Sequence, residues 1–111
     1  MGMRRVYLSG RMSGLAYREW RLRFKRAEWR LWWQFCYDVV NPADTIIARH
    51  PWLYRLVGYR LTMAFDLWLL KQCTHIYMVG DDWHLSRGAR LERLKARQWG
   101  IQEIAIEEVN L

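Results

Sequence analysis

Two carboxylates of this sequence occupy places where a helix is expected to pack on a sheet. At about 100° per residue, the segment Leu85–Trp99 puts Glu92 in the middle of an apolar face. The segment from about Tyr54 to Gln72 does the same with Asp66. Because burying a lone carboxylate is costly, each must be paired, neutralised or held in a polar cleft. Glycosyl chemistry uses such a pair: one carboxylate attacks or stabilises the anomeric carbon, and the other handles the proton of the leaving group.

A structural role for Glu92 and Asp66 is the alternative. Ion-pair networks also bury acids, and three arginines follow the opposite side of the helix that carries Glu92. Salt bridges to arginine would satisfy both carboxylates without any chemistry, so the partners of the two groups decide between the interpretations.

The glycine-rich turn "SGRMSG", residues 9–14, favours an anion at the start of the first helix. Gly10 and Gly14 allow close approach, backbone amides point outward at such a turn, and Arg11 adds positive charge. The turn has neither the P-loop ending nor the dinucleotide fingerprint, and a plain tight turn is the more common explanation of such a motif. Ser86 is predicted to cap the third helix, where its hydroxyl also lies in reach of a phosphate.

Apolar runs alternate with amphipathic segments along the whole chain, which predicts one α/β domain over residues 1–111. The predicted strands are Arg5–Gly10, Tyr37–Val40, His75–Val79 and Ile101–Val109, and the predicted helices are Tyr17–Phe35, about Tyr54–Gln72 and about Arg87–Gln98. Strands that alternate with helices form a parallel sheet, here of four to five strands with helices on both faces. Ligands are expected beyond the carboxyl ends of the strands, near residues 10–14, 41–44 and 80–86.

Composition narrows the classes of protein further. No apolar run reaches the roughly 20 residues of a membrane span, and the first residues do not form a secretory signal. Cys36 and Cys73 are interpreted as reduced core thiols, which favours the cytoplasm. The three histidines and two cysteines lack the spacing of metal ligands, so no metal or cofactor is predicted. The net charge of +7 favours an anionic partner, although a solvated basic face is the alternative.

A second apolar stripe follows the first helix. Leu22, Trp29 and Trp33 lie nearly opposite its core face, which is formed by Tyr17, Trp20, Phe24, Ala27 and Leu31. Exposed aromatic patches mark contacts, so this stripe predicts a homo-oligomer through the first helix. Long arginine stems that cover the tryptophans are the alternative.

Four motifs in order, "VYLSGRMSG", "VVNPAD", Asp66-Leu67 and "DDWHLSRGARLE", resemble a phage and bacterial domain family of mostly unknown function. Its members have the nucleoside 2-deoxyribosyltransferase-like fold, and the resemblance covers Val6 to Ile101. Relatives include nucleoside deoxyribosyltransferases and 2'-deoxynucleoside 5'-monophosphate N-glycosidases. The resemblance therefore implies a flavodoxin-like three-layer fold, often assembled into dimers or larger oligomers.

The resemblance also implies roles for individual residues. In the motif S-x-G-x-x-x-E, Glu92 matches the nucleophile, and Asp66 matches the residue that aids departure of the base. Arg11 replaces a proline that is usual in the family and favours a phosphorylated ligand. The residues predicted to bind substrate are Tyr7, Gly10, Arg11, Met12, Ser13, Asn41, Trp83, Ser86 and Gly88.

Three hypotheses of function follow. The first is an enzyme, an N-glycosidase or deoxyribosyltransferase, that hydrolyses or transfers at the N-glycosidic bond of a nucleoside or nucleotide through Glu92. The second is a phage-derived nucleotide-binding sponge or sensor without turnover. The third is a nucleic-acid-binding protein that uses the basic first helix with its interleaved tryptophans. The expected place of action is the cytoplasm of a bacterium or of a phage-infected host.

Overall fold

The computed structural model describes residues 4–12, 14–44 and 50–105. The strands are β1 (Arg5–Gly10), β2 (Asp38–Val40), β3 (His75–Val79) and β4 (Gln102–Ile104), and the helices are α1 (Tyr17–Phe35), α2 (Pro51–Lys71) and α3 (Arg87–Gln98). The strand order is β2-β1-β3-β4, and all neighbouring strands are parallel. The predicted parallel α/β fold is therefore confirmed.

The sheet is covered on both faces because side chains alternate along β1. Val6 and Leu8 pack with α1, whereas Tyr7 belongs to the opposite layer, where α2 and α3 contribute Leu70 and Ala89. This is a flavodoxin-like three-layer arrangement. The chain leaves β1 toward one edge of the sheet and later reaches β3 on the other side, so the carboxyl ends of β1 and β3 form the topological switch point.

The first helix has the predicted bounds, and the buried side chains on it are Phe24, Ala27 and Leu31. It ends at Cys36, which adopts a left-handed conformation with φ 55°. Cys36 is exposed, whereas Cys73 is buried. The prediction of two core thiols is thus wrong for Cys36, because a left-handed residue at a helix end carries its side chain out of the helix face.

The second helix begins earlier than predicted. It starts at Pro51 rather than near Tyr54, since a proline at the first helical position loses no intrahelical hydrogen bond. Gly58 interrupts it with φ 81° and ψ 170°, so two helical pieces meet at a kink. The loop predicted through "HPWL", residues 50–53, is wrong because the helix already includes residues 51–53.

The third helix has the predicted bounds and both predicted caps. Ser86 accepts the N–H of Ala89 at 3.2 Å, and the chain leaves the helix through Gly100 with φ 72°. The N–H of Ile101 then bonds the carbonyl of Ala96 at 2.8 Å, which is the hydrogen bond of a Schellman motif. This turn leads directly into β4, of which the predicted residues beyond 105 lie outside the described part.

Gly10 ends β1 directly beside Val79 of β3. A Cβ atom there would lie 2.9 Å from the backbone oxygen of Val79 and 3.3 Å from the ring of Phe24. Since the backbone of β3 cannot yield without losing its register, Gly10→Ala is expected to lower the free energy of unfolding by about 3 kcal/mol.

Gly100→Ala is the control for Gly10→Ala, because a Cβ at Gly100 meets open space and only the positive φ is strained, at about 1 kcal/mol. Chemical denaturation of both variants compares the two costs. Equal losses of stability would contradict the close approach of β1 and β3.

Candidate active site

Glu92 of α3 lies under the carboxyl-terminal half of β1. Its side chain is buried, and its two oxygens accept hydrogen bonds from the hydroxyls of Tyr7, at 2.5 Å, and Ser9, at 2.6 Å. Tyr7 and Ser9 share one face of β1 because they are two residues apart. Two hydroxyl groups, rather than an arginine, therefore hold this carboxylate.

Burial dominates the protonation of this cluster. It raises the pKa of Glu92 to about 7, while the hydrogen bonds from Ser9 and Tyr7 lower the pKa by less. Burial and the charge of Glu92 raise the pKa of Tyr7 well above its ordinary value. Tyr7 thus keeps its proton and donates to Glu92 over the whole neutral range.

Asp66 lies on the inner side of α2 and is partly buried. Within residues 4–12, 14–44 and 50–105, its carboxyl group has neither a hydrogen-bond donor nor a salt bridge. Burial, and then the charge of Glu92, raise its pKa to about 8. The two carboxyl groups are therefore within electrostatic range of each other.

Arginine partners were the structural alternative for Glu92 and Asp66. In the described part of the chain neither carboxyl group pairs with an arginine, so that alternative is not what the structure has. What the molecule holds instead is an acid pair without a counterion, whose members have different surroundings and different pKa values.

Small residues at the start of α3 let α2 come close. A Cβ on Gly88 would lie 3.4 Å from the sulfur of Met63, and Met63 is one helical turn before Asp66. Ser86 is buried and caps α3 through Ala89. Gly88 thus lets the helix that carries Asp66 pack closely on the helix that carries Glu92, and Ser86 fixes the start of the latter.

A second charged cluster lies at the topological switch point. Asp82, just after β3, receives two hydrogen bonds from Arg23 of α1, at 2.6 and 3.1 Å, and one from Arg11 at 3.5 Å. The Arg23 guanidinium group holds the pKa of Asp82 below its ordinary value. Two guanidinium groups therefore meet at one carboxylate beside the end of β1, and the charges of Glu19 and Asp81 also act on Arg23.

Arg23 is absent from the residues predicted from the sequence. It is one of six basic residues of α1, and no local pattern distinguishes it from the other five. The only signal is at long range, since Arg23 pairs with an aspartate 59 residues away.

The remaining predicted binding residues make contacts within the protein. Asn41 donates to Glu28 at 2.9 Å and accepts the N–H of Ala43 at 2.9 Å, which fixes the turn after β2. The guanidinium carbon of Arg93 lies over the ring of Trp83, 4.7 Å from the ring centre.

Met12 packs against the α1 layer of the core. Ser13 lies outside the described residues. Tyr7 and Gly10 are buried on β1, and Arg11 follows Gly10 in the loop after this strand. These three predicted residues therefore lie near one another. Asn41 and Trp83 lie in the turns that follow β2 and β3, where the predicted fold puts them.

The outer face of α1 is exposed as the sequence predicts. Leu22, Trp29 and Trp33 retain 51, 61 and 71% of their accessible surface, so arginine stems do not cover them. Whether a second copy of the chain covers this stripe stays a prediction.

Among the described residues, no group of three or more histidine, cysteine or acidic side chains is placed to hold a metal ion. None of the described helices is both long enough and apolar enough to span a bilayer.

Comparison with known proteins gives one match. A family model described as a domain of unknown function, DUF4406, matches residues 4–105. No curated protein and no solved structure matches the chain.

Proposed function

We propose that this chain, which belongs to the DUF4406 family of domains of unknown function, cleaves or transfers at the N-glycosidic bond of a nucleoside or nucleoside 5'-monophosphate. The observation that carries the proposal is the acid pair. Glu92 is buried, held by two hydroxyl groups and free of any arginine partner in the described residues, and Asp66 is within range of its charge. Glycosyl chemistry needs two carboxyl groups with separate pKa values.

The surroundings of the two carboxyl groups divide the two roles. The hydroxyls of Tyr7 and Ser9 favour the ionised form of Glu92, whereas burial and the charge of Glu92 raise the pKa of Asp66 and favour its protonated form. An ionised carboxylate is a nucleophile, and a protonated one is a general acid. Glu92 therefore attacks carbon and Asp66 supplies the proton.

The reaction then proceeds in two balanced steps. A carboxylate oxygen of Glu92 forms a bond to the anomeric carbon as the bond from that carbon to the base nitrogen breaks. The electron pair goes to the nitrogen, which takes the proton of Asp66. In the second step a water molecule gives a proton to Asp66, its oxygen bonds to the anomeric carbon, and the ester to Glu92 breaks. A second base in place of water gives transfer.

Tyr7 and Ser9 act as positioning residues in this proposal. Their hydroxyl groups hold both oxygens of Glu92 and favour its ionised form against the cost of burial. As the sugar bonds to one oxygen, the negative charge on the carboxylate falls and the corresponding hydrogen bond weakens. That hydrogen bond regains strength when the ester breaks, which favours turnover.

The switch-point cluster supports a phosphorylated substrate. Arg11 and Arg23 both pair with Asp82, so two guanidinium groups lie together at the end of β1. A phosphate pairs with guanidinium groups in a bidentate manner. A nucleoside 5'-monophosphate is therefore the preferred substrate, with the phosphate at the switch point and the anomeric carbon near Glu92.

Incubation with a panel of ribo- and deoxyribonucleosides and their 5'-monophosphates tests the proposal. Chromatography measures the release of free base, which is expected for at least one monophosphate. The matching nucleoside is expected to release its base with a lower kcat/KM. Adding a second base to the same reaction separates hydrolysis from transfer. Binding of a nucleotide without release of base from any member of the panel would contradict the enzymatic proposal.

A nucleotide-binding protein without turnover is the second candidate. The observation that favours it is the burial of Glu92, of which only 6% is exposed. A carboxylate closed in this way holds α3 on β1 through Tyr7 and Ser9 without any need to react. Titration calorimetry with the same panel detects this function, because tight binding then occurs with no base released.

A further inference from the structure

The second half of α2 has an apolar outer face that the rest of the described chain leaves uncovered. We define the outer α2 stripe as Leu61, Ala64, Phe65 and Trp68, which recur at helical spacing opposite the buried Met63 and Leu70. Leu61 retains 62% of its accessible surface, Phe65 37% and Trp68 58%. A helix that is apolar on all sides is normally buried on all sides.

The outer α2 stripe is also uncharged and preorganised. From Leu61 to Leu70 the only charged residue is Asp66, which lies on the inner side of the helix. The rings of Phe65 and Trp68 are stacked, with their centres 6.0 Å apart and 17° between their planes. Rings that already pack on each other lose little conformational freedom when a partner covers them.

We propose that a second copy of this chain covers the outer α2 stripe, so that two α2 helices cross at a two-fold axis. An isologous contact brings each surface onto its own copy, so the surface must be complementary to itself. An uncharged apolar stripe meets this condition. The stripe on α1 meets it less well, because α1 carries six basic and two acidic residues and a second copy would double this net positive charge.

The area of the stripe suits the centre of such a contact. The exposed parts of Leu61, Phe65 and Trp68 amount to roughly 300 Å² per copy, because a large side chain presents on the order of 150–250 Å². Two copies then bury roughly 600 Å² of apolar surface, which forms the core of a standard interface of about 1,600 Å². Arg60 and Lys71, at the two ends of the stripe, belong to the polar rim.

Light scattering combined with size exclusion tests the proposal on the full chain. The wild type at tens of micromolar is expected to show twice the mass of one 13.6 kDa chain, in both 0.15 and 0.5 M salt. Trp68→Glu and Leu61→Glu each place one carboxylate from either copy within the apolar contact and are expected to raise the dissociation constant by about 100-fold or more. Circular dichroism of each variant confirms that it folds.

Trp33→Glu is the matched control, because Trp33 is still more exposed than Trp68 but lies on α1. It is expected to leave the mass of the wild type unchanged. A monomeric wild type, loss of the dimer at high salt alone, or dissociation by Trp33→Glu would each overturn the proposal. The last of these would assign the contact to α1 instead. None of these outcomes depends on whether the chain releases a base.

Discussion

Glu92→Gln is expected to lower the rate of base release by about a thousand-fold or more while the protein remains folded. The amide has nearly the same shape but cannot form the bond to the anomeric carbon, and a thousand-fold loss corresponds to about 4 kcal/mol of transition-state stabilisation. The hydroxyls of Tyr7 and Ser9 can turn to accept hydrogen bonds from the amide N–H. A neutral side chain also avoids the cost of burying charge, so thermal stability at neutral pH should be unchanged or higher.

Glu19→Gln is the matched control for Glu92→Gln. It makes the same chemical change on an exposed residue in the first turn of α1. The measurement is single-turnover release of base by both variants, together with their melting temperatures. If Glu92→Gln retains more than a few per cent of the activity while Glu19→Gln behaves as the wild type, Glu92 is not the nucleophile.

Strong amphipathic patterns made much of the fold predictable. The bounds of α1, β1, β3 and α3 agree with those read from the sequence, because each has a clear apolar period and a recognisable end. The start of α2 was missed because a proline breaks most helices but fits their first position. The kink at Gly58 was missed as well, since a glycine within an apolar segment has no local signature of its backbone angles.

The acid pair was predictable only in part. The position of Glu92 on a helix face predicted its burial, but not what it would meet there. Its partners Tyr7 and Ser9 lie 85 and 83 residues away, and their identity depends on which strand α3 covers. Tyr7 was predicted to bind substrate and Ser9 was not named, although the period-two pattern of β1 already put both hydroxyls on one face. A comparison of the Glu92 face of α3 with each face of each predicted strand identifies these two hydroxyls as possible partners of Glu92.

The exposed surface was the least predictable feature. Leu61, Phe65 and Trp68 are apolar residues of a helix in a small α/β domain, for which the periodic pattern predicts only one buried side. Their exposure depends on how far α2 extends over its neighbours, and α2 packs mainly on α3. Such a placement is set by the whole tertiary structure and leaves no trace in the local sequence.

Asp66→Asn is expected to make the stability of the protein less sensitive to pH. In the folded state the pKa of Asp66 is raised to about 8 and that of Glu92 to about 7, from their ordinary values of 3.8 and 4.5. Between the unfolded and folded values, the native state holds protons that the unfolded chain has released. The stability from these groups is therefore full below about pH 4 and is lost as the pH rises to 8.

Other groups limit the pH range in which the effect is clear. Burial and the charge of Arg4 lower the pKa of His75, so His75 favours the folded state as the pH rises and opposes the trend in the acidic range. Burial raises the pKa of Cys73 to about 11, so that the thiol adds to the loss of stability only in alkali. A comparison of pH 6.5 with pH 8 stays below the titration of Cys73, and the contribution of His75 is common to the variant and the wild type.

The test is the difference in melting temperature between Asp66→Asn and the wild type across this range. For a group that is protonated only in the native state, the free energy of unfolding falls by about 1.4 kcal/mol per pH unit. In a domain of this size, a change of about 1 kcal/mol shifts the melting temperature by several degrees. Between pH 6.5 and 8, the melting temperature of the variant should therefore rise by roughly 5 °C or more relative to that of the wild type. Asp38→Asn, which removes an exposed ion pair with Arg5 at the far end of the sheet, should gain nothing. An Asp66→Asn difference that stays flat with pH would show that Asp66 is already ionised at pH 6.5. In that case it has no proton to give a leaving base at neutral pH.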